Sequence, residues 1–357
     1  MNDFLPTPAE CGADLWEFLA AAEKPIVLYG MGDGADKILA VLARYGVAAA
    51  DFFASDGFVR GQVFHGKTVL SYAQVCEKHD DFIILLAFGS ALPNVLEPIY
   101  RLSESRELYV PDVPVSGETL FTRKFYAANY EKFRAAYDLL ADEESKQIFG
   151  ELIRYKLSGK IEHLRRAVSA PDCEKHLLAF ERYETFVDAG AYVGDTARKF
   201  IADCPHAKKI YAVEPDGRSF KKLAAYAESE TSAKVIPCPF CAWSAAGSAA
   251  FTAAGNRNSA AKPNGGKTVE LNTVDSLSAD TDYIKYDVEG AEKEALLGSV
   301  ETIGRCKPDL LVSAYHRSED LFALPLWLHE HFPFYKLYLR RFESLPAWDI
   351  NLYAVKG

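Results

Sequence analysis

Twice in this chain, short apolar runs that end in glycine or an acid alternate with stretches of helical period, and between the two tracts the strands vanish. That alternation leaves few folds open, because strand, helix and strand in succession build a parallel sheet covered by helices. The first tract runs from about residue 24 to 115. Pro25 is followed by IVLYG, whose β-branched start and glycine end fit a buried parallel strand. DKILAVLARY then places Ile38, Leu39, Val41 and Leu42 at helical spacing, and Ala49 to Ala54, Thr68 to Leu70 and Phe82 to Ala87 are further strand candidates. The second tract starts near residue 183, with buried strands expected at TFVDA, KIYAV, Lys234 to Cys238, DYIKYDV and DLLVS. The closing FYKLYLRRFESLPAWDINLYAVKG fits two neighbouring strands joined by a loop, an antiparallel edge.

Between the tracts, from Thr119 to Gly159, aromatics and leucines recur every three or four residues without an internal proline. Asp142 is placed to cap a helix there, with Glu143 and Glu144 in its first turn and Ser158-Gly159 as its stop. The aromatic stripe is read as packing. The expected organisation is an N-terminal Rossmann-like domain over 1–115, a helical connector over 116–182 and a second α/β domain over 183–357. For 357 residues this agrees with roughly 150 residues per domain. At 49% hydrophobic and 25% charged residues the chain can bury an ample core, so disorder is excluded as its main state. A net charge of −10 disfavours general binding of nucleic acid. No apolar run approaches the ~20 residues of a membrane helix, and MNDFLPTPAECGADLWEF lacks the pattern of a secretory signal. Seven scattered cysteines fit reduced thiols in a cytoplasm. Cys238 and Cys241 form a CxxC without a second pair at zinc spacing, so no metal is expected there.

The chemistry gathers where strands should end. In TFVDAGAYVGDT a strand closes on Asp188, Gly190 and Gly194 bracket a tight turn, and a helix follows. Glycines allow close approach of backbone to a ligand at the carboxyl end of the strand, where open α/β sheets bind ligands. A dinucleotide pyrophosphate would also use such a turn. Asp188 and Asp195 would repel it. The same charges suit a ligand with an ammonium and a sulfonium, S-adenosylmethionine. The next strand closes on Val213-Glu214-Pro215, with Glu214 placed to accept hydrogen bonds from both ribose hydroxyls.

DYIKYDVEGAEKEAL then ends a strand in Asp287, and Glu289, Gly290 and Glu292 follow. Asp287 should face the same crevice as Gly190. A hard cation held by Asp287 and Glu289 is the minor alternative, since only two or three oxygen ligands are in view. In SAYHR, His316 follows the fifth strand and stands at the same sheet edge. A neutral imidazole there is matched to accept a hydroxyl proton.

VDAGAYVGDT, VEPD, LNTVDSL, DYIKYDVEGAE and KPDLLVSAYHRSEDLFALP, in that order, resemble the FkbM-type methyltransferases over residues 183 to 357, as does the closing YKLYLRRF…NLYAVK. The resemblance implies a class I S-adenosylmethionine-dependent methyltransferase fold, with a seven-stranded sheet that has one antiparallel strand. It also implies methylation of a hydroxyl on a sugar, a nucleotide-sugar or polysaccharide precursor, or another small molecule. The expected cofactor contacts are Asp188, Gly190, Ala191, Tyr192, Gly194, Asp195, Thr196, Glu214, Pro215 and Asp287. His316 and Asp287 are the expected catalytic pair, and no metal is included. Where many methyltransferases have a third glycine this chain has Ala191. The connector pattern DEES…F…LIRYKLSG is similar to the segment that precedes the catalytic domain in some members.

The N-terminal tract resembles Rossmann-like domains fused to sugar-modifying enzymes. Gly30, Gly32 and Ala35 approximate a G-x-G-x-x-A turn with Asp56 near the end of the next strand, a place for a nucleotide or nucleotide-sugar. Two other functions stay open: an NAD-linked oxidoreductase that uses this turn, though no acid/base pair stands beside it, and a non-catalytic two-domain scaffold.

Overall fold

A computed structural model describes residues 3–252, 260–261, 267–277 and 280–357. Its first sheet is parallel throughout, with strands β1 (Ile26–Tyr29), β2 (Asp51–Phe53), β3 (Ile83–Leu86) and β4 (Leu108–Tyr109) in the order β2-β1-β3-β4. Every residue of β1 and β3 is buried, as expected of continuous apolar runs in a covered sheet. Helix α1 (Asp33–Arg44) buries Ala35, Ile38, Val41 and Leu42. The stretch expected as a strand at Thr68 to Leu70 is different. Lys67–Thr68 forms a small hairpin with Val63–Phe64, and Leu70 makes a single bridge to Phe53. Two residues each side of His65-Gly66 are too few to extend the sheet. β4 is a strand that the sequence reading passed over.

The middle of the chain is helical. Helix α2 (Glu143–Ser158) begins where Asp142 accepts the Ser145 amide at 2.8 Å and stops at Gly159, whose left-handed backbone returns its amide to Tyr155.

The second sheet has seven strands: β5 (Thr185–Ala189), β6 (Lys209–Val213), β7 (Lys234–Cys238), β8 (Tyr283–Tyr286), β9 (Asp309–Ser313), β10 (Tyr335–Arg341) and β11 (Ile350–Lys356). Their order is β10-β11-β9-β8-β5-β6-β7. Chain direction of growth reverses between β5 and β8, which opens a crevice at their carboxyl ends. The last two strands were expected as an antiparallel edge. They form it: β11 pairs antiparallel with both β9 and β10, and β10 is the outermost strand. That edge is covered by the connector, where the Ala141 amide bonds the Leu337 carbonyl at 2.8 Å and the Leu339 amide bonds Ser145 Oγ at 2.9 Å. A further small sheet, unforeseen in the sequence, pairs Gly247–Thr252 with Lys267–Asn272.

One buried apolar cluster threads both large sheets and the connector, from Val27 and Ile84 through Phe133 and Leu152 to Ile284 and Leu352. All seven cysteines are free thiols. Among the described residues no helix is long and apolar enough to cross a membrane.

Arg340, 4% exposed, ties the connector to the edge strand by donating to Ser145 Oγ at 2.8 Å and to Asp142 Oδ2 at 2.5 Å. Arg340→Met keeps the aliphatic stem and deletes these bonds. It is expected to cost about 2–3 kcal/mol, read as a lower urea midpoint at unchanged slope. An unchanged midpoint would mean that the connector docks by its apolar face alone.

Candidate active site

The crevice is built from the turn after β5. Gly190 has φ +99°, and a Cβ there would stand 1.9 Å from the Asp287 carbonyl oxygen, so only glycine lets the two strand ends lie this close. The Gly190 and Ala191 amides both donate to the Val213 carbonyl, which locks the turn against β6. Tyr192 follows at φ +47°, and helix α3 (Asp195–Asp203) begins after Gly194. Glu214, at the end of β6, accepts the Tyr192 amide at 2.9 Å on one oxygen and the Asp216 amide at 2.7 Å on the other. A carboxylate has about four lone-pair sites, so each oxygen keeps one for a ligand. Burial pushes this carboxyl up to about 7.

Lys285 of β8 is the residue that the sequence reading quoted but gave no role. It is the register partner of Asp188 across β5, and so shares a sheet face with it. Its ammonium lies 3.8 Å from Asp188 Oδ1 and 3.2 Å from Asp287 Oδ2. Burial opposes its charge, but Asp287 and Asp188 outweigh burial and raise its pKa. The signal was available: a lysine at an inward position of an apolar strand, two residues before an acid, needs a buried partner.

A cleft of about 780 Å³ opens over these strand ends. Of the expected cofactor contacts, Gly190, Tyr192, Asp195, Thr196, Glu214, Pro215 and Asp287 line it. Asp188, Ala191 and Gly194 do not, and this corrects their expected role as direct contacts. Asp188 is fully buried behind Lys285, where burial lifts its carboxyl to about 7. Ala191 is likewise fully buried. Gly194 packs against the Tyr226 ring. Another wall comes from the first sheet: Gly89, Ser90 and Ala91, in the loop after β3, and Val115 line the cleft, with the Trp348 ring packed on Gly89. Ser90 bridges Leu345 in both directions, amide to carbonyl, at 2.8 and 2.9 Å, so this wall is fastened to the loop between β10 and β11.

His316 corrects a second expectation. It has no exposed surface, and it does not line the cleft. Its Nδ1 is 2.8 Å from Glu292 Oε1, and its Nε2 is 3.6 Å from Asp287 Oδ1 and 3.5 Å from Glu289 Oε2. Neither ring nitrogen has the alignment of a hydrogen bond to a described residue. Burial works against the imidazolium, but Glu292, Asp287 and Glu289 outweigh it and lift the pKa to about 9. At neutral pH the ring already carries its second proton and cannot accept another. Asp287 is a weak base for the opposite reason. Burial would raise it, but Lys285 and His316 hold it at about 2. Its oxygens also receive the Lys285 ammonium and the Tyr315 hydroxyl. Glu289 lines the cleft beside it, at φ +56°. Burial lifts Glu289 to about 7 against the pull of His316. A carboxyl poised there can both take and give a proton near neutral pH.

The N-terminal turn has the expected glycines at positive φ, Gly30 at +118° and Gly32 at +101°. Asp33 and Asp36 stand in the first turn of α1, Asp36 against His65 Nε2 at 2.7 Å. Asp56 sits in an exposed 3₁₀ turn beyond β2. None of Gly30, Gly32 and Asp56 lines the large cleft.

A sheet in this order with β11 antiparallel, and a glycine turn and acids at the reversal, defines the class I methyltransferase fold. The family model for the Methyltransferase FkbM domain matches residues 188–341. That part of the chain is an FkbM methyltransferase domain, which makes the protein an S-adenosylmethionine-dependent methyltransferase. The crystal structure of methyltransferase FkbM from Methylobacillus flagellatus KT is 20% identical, with a TM-score of 0.70 over 98% of this chain and 94% of that one, so the shared fold includes the first sheet. Aeropyrum pernix fibrillarin in complex with natively bound S-adenosyl-L-methionine aligns over 50% of this chain and 69% of its own, at 14% identity and a TM-score of 0.34. An SAH-bound methyltransferase from Podospora anserina aligns over 76% and 100%, at 13% identity and 0.32. No curated protein matches the chain.

The raised carboxyls set a pH dependence. Asp188 and Glu289 hold protons up to about 7, against ordinary values of 3.8 and 4.5, and His316 holds its own up to about 9. Between those ordinary values and the raised ones the folded chain binds more protons than the unfolded one, so stability falls as pH rises. The lowered Asp287 acts in the other direction only below about pH 4. The ligand-free protein should therefore melt at a higher temperature at about pH 6 than at about pH 8.5. A melting temperature that climbs over this range in differential scanning calorimetry would contradict the charge states assigned here.

Proposed function

We propose that the protein transfers the methyl group of S-adenosylmethionine to a hydroxyl of a small molecule or sugar, with a nucleotide-sugar or polysaccharide precursor in that class. The observation that carries this reading is the cleft lined both by the Gly190–Glu214 turn and by loops of the first sheet, with Glu289 also in its lining. The fit to the cofactor rests on two features. Gly190 lets the β5 turn lie against the Asp287 carbonyl, so that the turn, Tyr192 and Asp287 meet in one cleft. Glu214 retains acceptor capacity for two ribose hydroxyls.

Gly190, Tyr192 and Thr196 would shape the turn around the methionine portion, and Asp195 would take its ammonium in place of the walled-off Asp188. Bound there, S-adenosylmethionine supplies a methyl group on a sulfonium, whose carbon–sulfur electron pair returns to sulfur as the acceptor oxygen forms its new bond to carbon. The chain's own work is positioning and proton handling. Holding acceptor and donor in line supplies roughly 7–11 kcal/mol in well-oriented model reactions. Glu289 takes the hydroxyl proton, a role moved from His316 because the imidazole has no surface in the cleft. Asp287, fixed by Lys285 and Tyr315, orients the acceptor. Trp348 offers a partly exposed ring at the cleft wall, of the kind that stacks on a sugar face.

In this reading the N-terminal sheet serves the acceptor by its loops Gly89–Ala91 and Val115. The acids that open α1 disfavour phosphate, so the nucleotide proposed at Gly30 and Gly32 would at most be a second ligand. The division into 1–115, 116–182 and 183–357 is proposed as a functional one: acceptor wall, connector and catalytic domain. A cytoplasmic setting belongs to the same proposal and agrees with the free thiols.

Calorimetric titration with S-adenosylhomocysteine and with NAD tests the cofactor. Binding of the first alone is expected, and binding of NAD alone would overturn the reading. Turnover with a panel of sugars and nucleotide-sugars, followed by release of S-adenosylhomocysteine and by the methoxy proton signal of the product, tests the acceptor class. In that assay Glu289→Gln should lower kcat on the order of 10²–10⁴-fold while S-adenosylhomocysteine affinity stays within a few-fold. Wild-type turnover in the variant would remove Glu289 as the base.

A further inference from the structure

His316 is the least comfortable residue in the molecule. It has no exposed surface, lies among four carboxylates (Asp287, Glu289, Glu292 and Asp320), and neither ring nitrogen is in line for a hydrogen bond to a described residue. Glu292 beside it is 1% exposed. Its Oε1 collects the Val288 and Gly290 amides at 3.0 and 3.3 Å, and its Oε2 has no partner among the described residues. One ligand atom from each of Asp287, Glu292 and His316 lies within 4.8 Å of the others. The 3.6 Å between His316 Nε2 and Asp287 Oδ1 is the separation of neighbouring ligands on a cation with bonds of about 2.0–2.2 Å.

We propose that Asp287, Glu292 and His316 bind one divalent cation beneath the acceptor end of the cleft, with the Glu289 carboxylate next to it. The charges call for it. Lys285 is already shared by Asp188 and Asp287, which leaves the other carboxylates around one imidazole in a place shielded from water. One imidazole nitrogen with carboxylate oxygens suits Mn²⁺ or Zn²⁺. Entry is by way of Asp287 and Glu289, which line the cleft while His316 and Glu292 sit behind them. The turn is shaped for this cluster. Glu289 at φ +56° and Gly290 at φ +95° fold the chain back so that its amides hold Glu292, and Arg317 Nε fixes the Gly290 carbonyl at 2.7 Å. Sequence reading named only Asp287 of these three as a cation ligand, beside Glu289, because His316 arrives from another strand and Glu292 looked like a helix-opening acid.

The cation's site stands on these residues alone. Its use, as a Lewis acid that binds the acceptor hydroxyl and makes its proton easier for Glu289 to remove, rests on the methyl-transfer reading above.

Equilibrium dialysis of the full chain against MnCl₂ and against ZnCl₂, with bound metal measured by atomic emission and Mn²⁺ also by electron paramagnetic resonance, tests the site. One bound cation per chain is expected. His316→Gln, Glu292→Gln and Asp287→Asn should each weaken it by about 10–100-fold. Should His316→Gln fail to fold by circular dichroism, the two carboxylate variants decide. Absence of both metals from the wild-type protein, or unaltered binding in the folded variants, would overturn the site. Titration of the same samples with S-adenosylhomocysteine separates the two claims: nucleoside binding without metal binding sinks only the cation, and metal binding without nucleoside binding sinks only the methyl-transfer reading.

Discussion

The ammonium of Lys285 holds together the part of this molecule on which everything else is arranged. It lies on the same sheet face as Asp188, its neighbour across β5, and reaches Asp287 at the end of its own strand. Without a cation there, two carboxylates and the close contact at Gly190 would crowd the carboxyl ends of two adjacent strands. With it, the crevice of the reversed strand order stays narrow and rigid, and Asp287 is kept ionised and fixed. A lysine so placed is costly to desolvate, which is why it is matched by two acids and not one.

Much of this frame was legible in the chain. Continuous apolar runs located most strands of both sheets, and Asp142 and Gly159 marked the ends of the connector helix, because those signals depend on residues within one turn of each other. The glycine turn, Glu214 and Asp287 were also placed in one crevice correctly, since a parallel sheet brings all its strand ends to the same side. What failed required knowledge of who packs against whom. Asp188 was expected in the cleft, yet its neighbour across the sheet covers it. His316 was read as a neutral base because a lone histidine near neutral pH is the ordinary case. Its three carboxylate neighbours at Asp287, Glu289 and Glu292 lie 24 to 29 residues back along the chain, and only the fold brings them together.

The first sheet changes meaning for a similar reason. Its glycine turn attracts notice by motif, but the residues that reach the cleft come from plain loops, Gly89 to Ala91 and Val115. The Ser90–Leu345 bridge and the continuous apolar cluster make this sheet a wall of the cleft. A wall so fastened can select an acceptor by shape without owning any catalytic group. That division of labour puts donor chemistry at β5 and β6 and acceptor choice at the junction, so that one can vary while the other is kept.

The junction also explains where negative charge is tolerated. Carboxylates that face solvent need no partner, but Glu289 at the cleft and Glu292 and Asp320 behind it are gathered around a single imidazole. A cluster like that is stable only if protons or a cation answer for it, and the two answers have different consequences. Protons would leave Glu289 half-occupied near neutral pH and couple activity to small changes in acidity. A divalent cation would hold His316 neutral, free Glu289 to act as a base, and place a positive centre against the acceptor oxygen. The Glu289–Gly290 turn spends two positive-φ residues in succession on presenting these side chains, and backbone strain of that kind persists where the surrounding structure uses it. The turn is therefore better understood as the seat of the acceptor chemistry than as a helix start that happens to be acidic.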